Sequence, residues 1–272
     1  MSAAIAFSAL AGYIICRHSL DIGGVFVFAG VLLLAGAATV FNQYQERSLD
    51  ALMSRTQDRP LPSKQITTNT ALLIAITLCI AGLAVLYFLT SPLTAALGLF
   101  NILWYNGVYT PLKRKTSFVV IVGAVTGAIP PLMGWTAAGG SILSPEIMFI
   151  AAFMFLWQIP HFCLLLLKYK ADYKAAGFPS ITSILNEKNV KLIVFIWILG
   201  TSISTLFFPL LQIVSGWFLI ICLLLLNLIL IYSFYRNAFG KNIDFNLRSA
   251  FGSLYLYQVM ILGILIIEAL WW

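Results

Sequence analysis

The sequence predicts an all-α polytopic membrane protein, and three observations carry that prediction. Hydrophobic residues make up 61% of the 272-residue chain and charged ones 9%, with a mean hydropathy of +0.97, a balance outside the range of soluble domains. The apolar residues gather into nine runs, most of them near the ~20 residues a helix needs to cross hydrocarbon. None of the runs alternates apolar with polar residues, as a transmembrane β-barrel would require.

The runs are 3–16, 22–44, 67–89, 93–110, 117–137, 146–167, 191–208, 212–233 and 250–270. The first is short, and its start is expected upstream of Met1. The second is uncharged from Gly23 to Val40 and then turns polar at Asn42. The fourth meets Pro111, which is expected to end its helix, so that Tyr109 and Lys113 need not share a face. The fifth carries the pair Pro130-Pro131, expected to prevent a straight helix. In the sixth, Pro160 is expected to kink the chain and free a carbonyl. Together the runs predict one membrane-embedded domain over 1–272 with about nine transmembrane helices.

Charge placement sets the orientation. The segments 45–66, 113–115, 168–191 and 234–248 hold 15 of the 16 Lys and Arg, and only Arg17 lies in the alternate loops. By the positive-inside rule these four segments are cytoplasmic, with the N-terminus inside and the C-terminus outside. The net charge of +7 therefore reflects topology, and no nucleic-acid partner is expected; the partner surface is the lipid bilayer. No basic segment precedes the first run, so a cleaved signal peptide is not expected. Cys16, Cys79, Cys163 and Cys222 stand singly in apolar runs and read as small hydrophobes. The two longest loops, 45–66 and 168–190, both carry carboxylates and fall on the same side, which puts chemistry on a charged substrate at the cytoplasmic face. Their likeness, four runs apart, is the one hint of duplication.

Four constellations stand out. Asn42, Glu46 and Asp50 fall at i, i+4 and i+8 and share one helix face, with Arg55, Asp58 and Arg59 just beyond. Oxygen ligands beside guanidinium groups suit a divalent metal holding a diphosphate; the competing reading is a solvated, salt-bridged loop. Lys113, Arg114 and Lys115 follow the fourth run, as a phosphate clamp or as a plain topological anchor. His161 lies seven residues before Lys168, roughly 10 Å inside the helix end, and is either a heme-iron ligand or proton acceptor or an imidazole bonded to a carbonyl. Asp172 is a second magnesium ligand or neutralises Lys168 and Lys170. The segment Gly123–Trp135, rich in small residues, packs helices closely or lines a cavity for a flat or long apolar substrate.

These segments together resemble the UbiA-type superfamily of intramembrane prenyltransferases, and within it the protoheme IX farnesyltransferase (heme O synthase) branch. That branch has a pattern close to N-x-x-x-D-x-x-x-D-x-x-M-x-R-T-x-x-R-P-L-P, met here by Asn42, Glu46, Asp50, Met53, Arg55, Thr56, Arg59, Pro60, Leu61 and Pro62. Its Y-T-x-x-L-K-R-x-T is matched, one residue shorter, by Tyr109, Thr110, Leu112, Lys113, Arg114 and Thr116. G-A-x-P-P-x-x-G-[WY] is matched by Gly127 to Trp135, W-Q-x-P-H by Trp157 to His161, and D-Y-x-x-A-G-x-P by Asp172 to Pro179. The last two point to the heme branch. The likeness runs from the second run to about residue 185, with an echo at Arg248 to Gly252. Two features depart from it: Glu46 stands where Asp is usual, and the family's Lys-Pro-Arg ahead of the first span is not in this sequence, so either the start is misplaced or the site has one cation fewer.

The resemblance implies a UbiA-type bundle with its active site at the cytoplasmic side of a bacterial inner membrane. It implies farnesyl diphosphate and heme b as substrates, heme O and diphosphate as products, and Mg2+ as cofactor. Asn42, Glu46, Asp50, His161 and Asp172 would be catalytic, with Asn42, Glu46, Asp50 and Asp172 on the metal. Arg55, Arg59, Tyr109, Lys113, Arg114, Lys168 and Tyr173 would bind diphosphate and heme, and a heme-handling partner protein is left open. Two rival functions differ in class. One is a related prenyltransferase acting on an aromatic or chlorin acceptor, separable by product analysis. The other is a transporter of anionic lipophiles, whose polar groups would sit near midplane on broken helices rather than cluster at one face.

Overall fold

The computed structural model describes residues 2–239 and 246–271, with the side chain of Asn237 excepted. Lys241, counted above among the basic residues, lies outside them. The described residues form helices α1 (Ser2–Arg17), α2 (Ile22–Asp50), α3 (Thr68–Leu89) and α4 (Pro92–Ile102), a π-helical segment Leu103–Tyr109, and then α5 (Thr110–Leu112), α6 (Val119–Ala137), α7 (Pro145–Lys168), α8 (Lys170–Ala175), α9 (Ile181–Ile184), α10 (Glu187–Thr205), α11 (Phe207–Leu210), α12 (Trp217–Phe239) and α13 (Leu247–Trp271). No strand occurs among the described residues.

Short polar residues start these helices where the apolar runs begin. Asp21 accepts from the Gly23 amide at α2, Thr67 from Thr70 at α3, Ser91 from Thr94 at α4, and Asn186 from Asn189 at α10; each satisfies a donor that a helix end leaves open. Among the described residues, seven helical stretches are long and apolar enough to cross a membrane: α2, α3, α6, α7, Glu187–Leu210, Trp217–Arg236 and α13. The protein is therefore an integral multi-pass membrane protein. The other two predicted runs are irregular: α1 has 16 residues, and 93–110 is broken by the π turn.

The helices pack in chain order. α1 packs on α2, α2 on α3, α3 on α4, α4 on α6, α6 on α7, α7 on α10, α10 on α12 and α12 on α13; α13 then returns to α1, closing a ring. α1 also packs on α6. One apolar core is shared among α1 to α4 and α6, and another centres on α7, α10, α12 and α13.

One expectation about proline is corrected. The chain stays helical through Pro111 in α5. A regular α-helix would drive the proline ring into the carbonyl four residues back, and the wider π turn just upstream accommodates it: the Thr110 amide reaches Tyr105 O, five residues back. As a result Tyr109 and Lys113 do line one cavity. Likewise α6 continues through Pro130 and Pro131. The carbonyl of Thr126, four residues before Pro130, is taken up by Asn101 Nδ2 at 3.4 Å.

The α1–α6 crossing is a backbone contact. A Cβ on Gly134 would meet the carbonyl of Ala9 and, at 2.6 Å, the amide of Tyr13, the two ends of one helical hydrogen bond. Gly12 faces the carbonyl of Pro131 in the same way. We expect Gly134→Ala to destabilise the protein by about 1–3 kcal/mol or more through overpacking. Gly263→Ala, where a Cβ meets open space, should be neutral or stabilising by up to about 1 kcal/mol. Thermal unfolding of both variants in detergent checks the contrast; equal midpoints would refute the close crossing.

Candidate active site

The polar face of α2 is buried. Asn42, Glu46 and Asp50 are 8%, 1% and 1% exposed, and a carboxylate withdrawn from water to that extent needs a cation or hydrogen-bond donors. Each has them. Lys113 Nζ donates to Glu46 Oε2 at 2.9 Å and Oε1 at 3.2 Å. Arg59 Nη1 donates to Asp50 Oδ2 at 2.8 Å. Asn42 Nδ2 donates to Glu46 Oε2 and to Thr110 Oγ1, both at 3.2 Å. α2, α5 and the loop 51–67 are thus tied at one end of the bundle.

That loop is a folded cap, not a solvated tether. Met53, Thr56 and Leu61 are buried, Thr56 Oγ1 donates to Asp50 O at 2.9 Å, and successive turns bond Thr56 to Met53, Arg59 to Thr56 and Ser63 to Arg59. The residues of the R-T-x-x-R-P-L-P stretch bury one side of the cap and turn Arg59 inward.

Lys113 also faces aromatic rings: its Nζ lies 4.7 Å from the centroid of Phe178 and 5.7 Å from that of Tyr173, a cation–π environment. Lys113, Tyr109, Phe162, Leu165, Tyr173 and Pro179 are among the residues lining a small cavity of about 20 Å³, room for about one water. The small residues of α6 do not open it further. Where Gly123 and Gly127 lack a Cβ, the Tyr109 ring and the Gln158 side chain take the space, so this segment serves close packing.

Asp172 does not reach Lys168 or Lys170. Its Oδ1 accepts from Ser54 Oγ at 2.8 Å and Ser54 N at 3.2 Å, and its Oδ2 from Arg55 N at 3.2 Å. It binds the cap 51–67 to the segment after α7. The Ser54 hydroxyl above all, helped by the Arg55 and Ser54 amides and the Arg55 charge, holds its carboxyl below the usual carboxylate range against the opposing effect of desolvation.

His161 is 4% exposed but is not among the residues lining the Lys113 cavity. Its ring stacks on Trp157 (5.4 Å between centroids, 8° between planes) and meets Phe251 and Tyr255 of α13 edge-on at 5.9 and 5.3 Å. Nδ1 has no hydrogen-bond partner, so the expected bond to a freed carbonyl is absent there: the ring is boxed by aromatics. Above it, Lys168 Nζ lies 5.5 Å from the Phe251 centroid and 5.2 Å from that of Tyr169, and Arg55 Cζ lies 4.9 Å from the same Tyr169 ring. Lys168 and Arg55 thus share the Tyr169 ring, with Lys168 also over Phe251 where α7 meets α13. Arg114 faces away from the cavity: its Nη2 donates to Gln45 O at 2.6 Å, and it is exposed.

Three contributors were not among the site residues expected from sequence. Tyr105 stacks on Tyr109 with centroids 5.3 Å apart, Phe178 lies beneath the Lys113 ammonium, and Thr110 receives Asn42. The i, i+4 spacing of Tyr105 and Tyr109 at the polar end of an apolar run was the available signal.

The donor set fits a hard divalent cation. Among the described residues no group of three or more His, Cys, Asp or Glu is placed to hold a metal alone. Magnesium in phosphate sites takes one or two carboxylates and completes its shell from phosphate and water, and Glu46 and Asp50, with the Asn42 carbonyl oxygen, supply that number. The two carboxylates are now matched by Lys113 and Arg59.

We expect Asp172→Asn to loosen the cap, seen as faster amide exchange at Ser54 and Arg55 in hydrogen-exchange mass spectrometry. Because the folded carboxyl is held low, its contribution is fully present above the unfolded pKa and is lost only as pH falls through the lowered folded value. Wild-type protection should therefore be flat from neutral through mildly acidic pH. Loss of protection near neutrality, or none in the variant, would contradict the assignment.

A sequence signature of the UbiA prenyltransferase family matches residues 5–243. A protoheme IX farnesyltransferase from Opitutus terrae is 32% identical over 97% of this chain and 89% of its own. One from Geobacter sulfurreducens is 40% identical over 66% of this chain and 67% of its own. One from Oleidesulfovibrio alaskensis is 39% identical over 64% of this chain, and the match spans 62% of that relative's length. A structure of digeranylgeranylglyceryl phosphate synthase superposes with a TM-score of 0.79 at 18% identity, covering 99% of this chain and 94% of that one. A UbiA homolog from Archaeoglobus fulgidus bound to GPP and Mg2+ superposes with a TM-score of 0.71 at 14% identity, over 97% and 93%. The ring of helices is the fold of these structures, and the chain belongs to the UbiA prenyltransferase family.

Proposed function

We propose that this protein transfers the farnesyl group of farnesyl diphosphate to a vinyl group of heme b, giving heme O and diphosphate. The observation that carries the reading is the buried Asn42–Glu46–Asp50 face of α2, met by Lys113 and Arg59 at one end of a membrane bundle, in a chain whose relatives are protoheme IX farnesyltransferases. The whole chain acts as one domain. It sits in a bacterial inner membrane with its N-terminus and its charged loops on the cytoplasmic side, where both substrates present their anionic ends.

Diphosphate departure builds negative charge on the leaving oxygens. Mg2+ held by Glu46 and Asp50 with the Asn42 carbonyl would supply Lewis-acid stabilisation of that charge; the Mg2+ bound in the Archaeoglobus fulgidus homolog beside GPP supports the requirement. Lys113 and Arg59, released from their carboxylates, donate to the diphosphate oxygens in the same step. The bond from C1 to oxygen breaks, and the vinyl π pair attacks C1. The cation left beside the porphyrin ring takes water and loses a proton, completing the hydroxyethylfarnesyl group. Tyr105, Tyr109 and Phe162 wall the allylic cation from premature water. Lys168 and Arg55 bind the heme propionates beside the contact of α7 with α13, and His161, with Nδ1 free, meets the porphyrin there as iron ligand or base. Asp172 and Tyr173 keep the cap and Lys113 in register. Arg114 takes no part in the cavity.

Mass spectrometry of hemes from cells expressing the chain tests the reading: heme O is expected, and farnesylation of another acceptor instead would overturn it. Glu46→Gln and Asp50→Asn should each lower turnover by about a hundredfold or more while the protein still inserts in the membrane; near wild-type rates in saturating magnesium would remove those carboxylates from the site. His161→Ala should change the absorption spectrum of bound heme with thermal stability kept. An unchanged spectrum and unchanged rate would place His161 outside the site.

A further inference from the structure

The cations following the fourth run diverge. Lys113 turns into the cavity, whereas Arg114 and Lys115 line a separate open groove with Gln45, Thr110 and Pro111, sharing no residue with it. Thr110, in the groove lining, accepts a hydrogen bond from Asn42 of α2. The groove encloses about 380 Å³, in the range of small-ligand sites. No acidic residue lines it. Arg114 and Lys115 are exposed, and the Arg114 guanidinium is fixed by its bond to Gln45 O at 2.6 Å, which leaves its other donors for a ligand.

Exposed apolar residues lie back along the fourth run from the groove. Pro111 is exposed, and Val108 and Gly107 lie one turn deeper on the same side. Val108 is 40% exposed, Leu103 beyond it is 59% exposed, and a Cβ on Gly107 would meet nothing within 4 Å. The surface thus offers two exposed cations at the polar end of the fourth run, with exposed apolar residues a turn or more back along it. We propose that this groove binds an amphiphile through an anionic phosphate headgroup, which Arg114 and Lys115 clamp while the tail lies along Val108 and Leu103. The headgroup belongs to an anionic phospholipid or to a prenyl diphosphate resting outside the cavity; the chemistry is the same for both. A headgroup held there would steady α5, and through Thr110 and Asn42 the polar face of α2. The inference does not depend on the acceptor of the transfer reaction.

The test uses the full chain in neutral detergent, titrated with diheptanoyl-phosphatidylglycerol and, as its zwitterionic counterpart, diheptanoyl-phosphatidylcholine, with binding read by native mass spectrometry and thermal midpoint. Phosphatidylglycerol should bind more tightly. Lys115→Gln, which leaves the Arg114–Gln45 contact intact, should weaken it about fivefold, and Arg114→Gln/Lys115→Gln roughly twenty-five-fold, as expected for about one phosphate-facing charge each. Competition by farnesyl diphosphate but not by inorganic phosphate would support the prenyl diphosphate as occupant, competition by both a general phosphate site, and competition by neither a phospholipid site. Equal binding of the two lipids, or wild-type affinity in Lys115→Gln, would overturn the proposal, and the single variant decides should the double variant not fold.

Discussion

The charged end of this bundle depends on the ion pair between Glu46 and Lys113. The two residues are 67 positions apart and both are withdrawn from water, with side chains 1% and 11% exposed. A pair of that kind contributes little net stability relative to an apolar alternative, because desolvation offsets the Coulomb attraction, but losing one partner leaves a buried charge and costs several kcal/mol. The pair therefore acts as a register device. It requires α2 to stay helical well past the apolar run, α5 to bring Lys113 over the rings of Phe178 and Tyr173, and the π turn to pass Pro111 without ending the helix. Each of these is observed.

The same pairing explains why so polar a cluster is tolerated beside hydrocarbon, and what a diphosphate would do to it. Glu46 and Asp50 are each balanced one-to-one, by Lys113 and Arg59. A metal and a diphosphate arriving together would bring opposite charges, so the carboxylates could serve the metal and the cations the phosphates with little change in net charge. The cavity beside Lys113, about 20 Å³, has room for about one water, so a prenyl diphosphate bound there would require a wider space among Tyr109, Phe162 and Tyr173. The cap 51–67 is held across that end by Asp172.

Much of this was legible in the residue order. The bundle follows from hydropathy, and the polar face of α2 from 3.6-residue periodicity, because both are local properties. What was not legible rests on hydrogen-bond register and on partners distant in sequence. The π turn leaves no trace in hydropathy, so Pro111 read as a helix end. The surroundings of His161 come from Phe251 and Tyr255 on α13, some ninety positions away by sequence number, and a carbonyl bond read from Pro160 alone misses them. Asp172 read as a magnesium ligand or as the neutraliser of Lys168 and Lys170, and its hydrogen bonds to Ser54 and Arg55 across the cap were not legible. Lys113 and Arg114 read as one basic group, but consecutive residues on a helical turn point about 100° apart, which sends one into the cavity and the other to the outer groove.

A double-mutant cycle on Glu46 and Lys113, read by thermal or denaturant unfolding of the purified chain, bears most directly on this pairing. Glu46→Gln and Lys113→Met should each cost about 3–5 kcal/mol, and the double variant should cost less than their sum by at least about 1 kcal/mol, since it leaves no buried charge unpaired. Adding farnesyl diphosphate and magnesium should shrink that coupling as both partners turn to the ligand. Strictly additive losses without ligand would contradict the central role of the pair.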